Sequence, residues 1–79
     1  MTFKILTLNN ISVRGLERLP RERYEVASEI ARPDAVLLRS ADMHKMNIPE
    51  SVLAVARAGA GVNNVPVAAL SKRGVPVFK

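Results

Sequence analysis

The residues of this chain that could act on a ligand fall in two short segments. The first, "LLRS" at 37–40, ends an apolar run in Arg39 and Ser40. The second, "ARAGAGVNNVP" at 56–66, sets Arg57 just ahead of Gly59 and Gly61. Arginine carries a planar fork of donors that matches carboxylate and phosphate groups. Glycines after a strand let the backbone approach a ligand closely. The N–H groups from Gly59 to Val62, ahead of a helix, could point at an anion. Ala60 and Gly61 lie at the centre of that loop. The same spacing also fits a tight strand-to-helix turn with no ligand, and the two arginines also fit solvated or ion-paired surface positions.

The glycine loop invites comparison with the dinucleotide fingerprint, G-x-G-x-x-G or A. That motif needs its third small residue for close packing of helix on strand. Here Asn64 stands at the third position, and Pro66 follows. An acidic residue should follow about 20 positions later to hold a ribose, and the chain reaches Lys79 first. The loop is therefore read as an anion loop or a turn, with no cofactor-binding residue.

Other chemistry is sparse. Asp42 and His44 are two apart, with Met43 and Met46 beside them. A lone histidine in such a loop reads as a surface residue. Ser12, Ser28, Ser40, Ser51 and Ser71 have no base placed by any motif, and no triad or carboxylate pair can be assembled. The absence of cysteine excludes disulfides and thiolate metal sites. His44 cannot form a histidine metal site alone. The expectation is binding groups without catalytic machinery: no catalytic residue and no metal.

The elements that must position these groups alternate in type. "FKILTL" (3–8) reads as a buried first strand, "YEVAS" (24–28) as a second and "AVLLRS" (35–40) as a third. "SVLAVARA" (51–58) becomes strand-like from Leu53 to Ala56, and "VPVF" (75–78) gives a fifth strand. Ser12 could cap a short helix over "VRGLERL", stopped by Pro20. Asn47 and Pro49 suggest another short helix start. A last helix is expected from about Val65 to Arg73, capped by Asn64, with Lys72 and Arg73 at its negative end and Gly74 as its left-handed stop. Strands apolar on both faces imply a parallel sheet covered on both sides. "EIARP" (29–33) is too short for a crossover helix. The fold class is α/β, with a parallel sheet and right-handed crossovers, but incomplete. In such a sheet Arg39, Ser40 and Arg57 share the carboxyl edge, where ligands bind.

Composition narrows the function classes. A chain of 79 residues is at most one small domain. Hydrophobic residues make up 48%, which argues for a folded chain. Aromatics are confined to Phe3, Tyr24 and Phe78, so the core must be aliphatic. The net charge of +5 is dispersed, and the stacking aromatics of single-strand binders are lacking. Nucleic acid is therefore not an expected partner. No run approaches the roughly 18 to 20 apolar residues of a membrane span, and "MTFKILTLNN" turns polar too early for a secretory signal. The expectation is a soluble cytoplasmic protein without a membrane partner.

Three segments, "KILTLNNISVRGLERL", "AVLLRSADM" and "LAVARAGAGVNNVPVAALSKRGVPVF", together resemble the D-isomer-specific 2-hydroxyacid dehydrogenases. Among these they look most like the D-3-phosphoglycerate dehydrogenases, which oxidise 3-phosphoglycerate to 3-phosphohydroxypyruvate at the entry to serine biosynthesis. The resemblance covers essentially the whole chain. It implies a flavodoxin-like α/β unit, the N-terminal part of a substrate-binding domain. NAD would be bound by a separate nucleotide-binding domain, and the family's catalytic arginine, glutamate and histidine would lie beyond residue 79. It implies further that Arg39, Ser40, Arg57, Ala60 and Gly61 are the substrate-binding positions, for a small substrate bearing carboxylate and phosphate. A homo-oligomer is the expected partner state.

This chain departs from the family pattern at Asn63, where aspartate is common, at Lys79, where asparagine is usual, and in its short second connection. The isolated chain is expected to be inactive. Two other readings stand beside this one: a related dehydrogenase of the glyoxylate or hydroxypyruvate type, and a non-catalytic α/β module that self-associates through open sheet surfaces.

Overall fold

Apolar tetrapeptides do most of the organising. In a computed structural model, which describes residues 2–8, 19–57 and 64–78, each expected strand is present. They are β1 (Phe3–Thr7), β2 (Tyr24–Ala27), β3 (Ala35–Leu38), β4 (Ala54–Arg57) and β5 (Val77–Phe78). Among the described residues they form one sheet in the order β2-β1-β3-β4-β5. Every pairing is parallel. The α/β class with a flavodoxin-like arrangement therefore holds. Residues 28–34, between β2 and β3, contain no helix.

The register shows why the sheet needs apolar residues on both faces. Leu6 aligns with Val36, Val36 with Val55, and Val55 with Val77, so these share one face. That face is the core side: Leu6, Val36, Leu38 and Val55 cluster with Met43, Val52, Val65, Leu70 and Val75. Leu38, Met43, Val55 and Leu70 are fully buried. Burying side chains of this size stabilises by about 1.5–3 kcal/mol each. The opposite face carries Ile5, the small residues Ala35, Ala54 and Ala56, and Leu37. Phe3 and Phe78 fall on that face too, and both are exposed.

One α-helix is described, α1 (Val67–Lys72), on the core side through Leu70. It is shorter than the segment from Val65 to Arg73 anticipated from sequence. Pro66 takes the N-cap position without any side-chain cap bond. Asn64 is thus not the cap, because its side chain is engaged elsewhere, as described below. The C-terminus behaves as expected. Gly74 has φ 74°, Val75 N–H donates to the Leu70 carbonyl at 2.9 Å and Gly74 N–H donates to the Ser71 carbonyl at 3.0 Å. These two bonds form a Schellman motif, and Leu70 and Val75 both lie in the buried core cluster.

The helix anticipated at Asn47 and Pro49 does not form. Val52 N–H donates to the Pro49 carbonyl at 3.2 Å, a single turn, and the chain then enters β4. The only helical turn between β3 and β4 lies earlier, a 3-10 turn over Met43–Lys45. The buried Met43 side chain draws that segment onto the sheet, leaving too few residues for a helix before Ala54. The helix anticipated over "VRGLERL" falls outside the described residues. No helix among the described residues is long and apolar enough to cross a membrane.

Candidate functional site

Parallel strands deliver their carboxyl ends to one edge, and β3 and β4 are neighbours there. Leu38, the last residue of β3, aligns with Arg57, the last residue of β4. Arg39 and Ser40 follow directly, exposed, in a bend. The alignment puts Arg57 on the same face as buried Leu38. Accordingly, Arg57 is half-buried and its Nε is buried. Arg39, Ser40 and Arg57 each make further interactions within the chain. The structure thus brings Arg39, Ser40 and Arg57 to a common edge. Ala60 and Gly61 lie outside the described residues.

The segment after β3 is held in a defined path by several groups. Asp42 caps the 3-10 turn: its carboxylate accepts the His44 N–H at 2.9 Å. A carboxylate so placed satisfies an orphan N–H at a helical start, which gives Asp42 a structural task. His44 is exposed. The buried Met43 anchors the same segment to the core.

A further group was legible in the sequence only as a helix cap. The Asn64 side-chain amide donates to the Ala41 carbonyl at 2.7 Å and to the Arg39 carbonyl at 3.2 Å. Its own carbonyl accepts the Met43 N–H at 2.8 Å. Asn64 therefore links the segment leaving β3 to the segment entering α1, with three bonds. A planar trans peptide holds each N–H opposite the preceding C=O, and no peptide among the described residues is cis. With the Arg39 and Ala41 carbonyls turned to Asn64, the N–H groups of Ser40 and Asp42 face away from it. One signal for this role was available in the sequence. An amide side chain stands where the fingerprint would need glycine, two residues before a proline.

The same observation bears on a nucleotide. The described residues of this loop do not fit a dinucleotide. Position 64, where close helix–strand approach needs a small residue, holds a side chain bound to two carbonyls. The residue ahead of α1 is Pro66, which has no N–H to offer a phosphate. Among the described residues there is also no group of three or more histidine, cysteine or acidic side chains that could hold a metal.

Serine chemistry is also accounted for in part. Ser51 Oγ donates to the Pro33 carbonyl at 2.7 Å, at the opposite, amino edge of the sheet. It is a structural hydroxyl between the lead-in segments of β3 and β4.

Comparison with known proteins agrees with the fold class. Residues 4–79 match the catalytic domain of the D-isomer specific 2-hydroxyacid dehydrogenases. The match takes in nearly the whole chain, and the chain belongs to that family. No curated protein and no solved structure matches it.

Proposed function

From membership of the D-isomer specific 2-hydroxyacid dehydrogenases, we propose that this chain is the substrate-side part of an NAD-dependent D-3-phosphoglycerate dehydrogenase. Its task is to hold the anionic groups of the substrate. Arg39 and Arg57 supply charge-assisted donors, and Ser40 supplies a hydroxyl and a backbone N–H. Ala60 and Gly61 supply backbone N–H groups to the carboxylate. In this reading NAD binding and the movement of the hydroxyl proton fall to residues other than these. The observation that carries the proposal is the alignment of Leu38 with Arg57, which sets the two arginine-bearing strand ends side by side. A phosphorylated acid suits two arginines on one edge better than an uncharged 2-hydroxy acid tail does.

Calorimetric titration of the chain with D-3-phosphoglycerate and with D-glycerate tests this. The phosphorylated ligand is expected to bind at least about tenfold more tightly, and Arg39→Ala to remove most of that preference. Equal binding of the two acids would move the assignment to a dehydrogenase of the glyoxylate or hydroxypyruvate type. A second reading, self-association, draws on the exposure of Phe3 and Phe78, 50% and 57%, on one face of the sheet. Light scattering decides it: a monomer at high concentration removes it.

A further inference from the structure

Asn64 bonds to both carbonyls that flank Ser40. Its third bond, from Met43 N–H, reaches the residue whose side chain is buried in the core. The bridge spans 25 residues of sequence at Arg39 and 23 at Ala41. It joins the exit of β3 to the entry of α1.

We infer that Asn64 is the positioning residue of the carboxyl edge. It touches no ligand itself. It fixes the peptide planes on either side of Ser40, and so fixes where the Ser40 N–H and the Arg39 side chain are presented. The inference rests on the substrate reading of that edge. The amide is suited to this because it offers two donors from one nitrogen to two acceptors. Aspartate has the same shape and offers oxygens instead. It would set a carboxylate against two carbonyl oxygens, and the bend would have to move. Alanine removes the bonds and leaves the two carbonyls to water.

This gives an order of effects that a space-filling role would not produce. If Asn64 only fills volume, the isosteric Asn64→Asp disturbs the edge less than Asn64→Ala does. If it positions the bend through its donors, Asn64→Asp disturbs the edge more. The test uses the chain with both variants, in two measurements. Amide ¹⁵N–¹H spectra without ligand report the backbone of 39–43. Titration with D-3-phosphoglycerate reports affinity. Urea unfolding of each variant confirms that the fold persists, and Asn64→Ala serves alone if Asn64→Asp fails to fold.

The expected result is displaced amide signals over 39–43 in both variants, largest in Asn64→Asp. Affinity should fall by about tenfold in Asn64→Asp and by several-fold in Asn64→Ala, since a net hydrogen bond is worth a factor of this order. Wild-type signals over 39–43 in the variants would overturn the inference, whether or not ligand binds. Unchanged affinity in the variants, with a wild type that binds, would also overturn it. A wild type that binds no D-3-phosphoglycerate, with signals still displaced in the variants, would leave the positioning intact and count against the substrate reading alone.

Discussion

The two edges of this sheet use polar residues differently. At the amino edge, polar groups are spent on backbone. Asp34 accepts the Lys4 N–H on its carboxylate at 2.8 Å, while its own N–H donates to the Lys4 carbonyl and its carbonyl accepts the Leu53 N–H. Ser51 donates to the Pro33 carbonyl. Arg73, at the end of α1, donates to the Ile48 and Pro49 carbonyls at 3.2 and 2.8 Å. At the carboxyl edge the Asn64 side chain bonds to the backbone across segments, and the arginine and serine that follow β3 are exposed. One edge closes connections that are too short for helices. The other presents groups outward from a bend held in place. Both uses give partners to backbone groups where the chain turns without regular structure.

The sharpest way to break this contrast is to remove what both edges share. Leu70 is fully buried and anchors α1, whose start adjoins Asn64 and whose end carries Arg73. Leu70→Ala is expected to cost about 2–5 kcal/mol, enough to unfold a small domain. Urea denaturation or far-ultraviolet dichroism would show the loss, and a stable variant would contradict the role given to α1.

A milder change separates the edges. Asp34→Ala removes the carboxylate that accepts the Lys4 N–H. The expected cost is about 0.5–1.5 kcal/mol, because a solvent-exposed hydrogen bond is lost and its donor is left to water. Ligand affinity should not change. A drop in affinity without a drop in stability would erase the division between edges. Similar in size is Gly74→Ala. Nothing crowds a Cβ there, but φ is 74°, so the expected cost is about 1–2 kcal/mol from the left-handed backbone alone. Thermal unfolding checks it, and ligand affinity should again stay at the wild-type value.

Much of this was legible in the sequence, for a local reason. Each strand is an apolar run bounded by turn residues, and the observed strands lie within about two residues of the expected ones. Gly74 and the basic residues beside it marked the end of α1 because helix termination is set by nearby chemistry. The arginines could be assigned to one edge once the sheet was read as parallel. The misses share the opposite cause. Asn64 was read as a cap, since a cap is what a nearby helix suggests. Its actual partners, Arg39 and Ala41, lie far back in sequence. Asn47 and Pro49 carry helix-start chemistry, but buried Met43 and the entry into β4 use up the chain that such a helix would need. Arg73 suited a helix C-terminus by charge, and its bonds to Ile48 and Pro49 are again long-range. Local propensity cannot encode such contacts.

The division between the edges is tested most directly by an amide-resolved titration of the chain with D-3-phosphoglycerate. The perturbed signals are expected at Ser40, Ala41, Asp42, Arg57 and Asn64, with the amino-edge residues Asp34, Ser51 and Arg73 unmoved. Perturbation centred on the amino edge, or no saturable perturbation at all, would contradict the account.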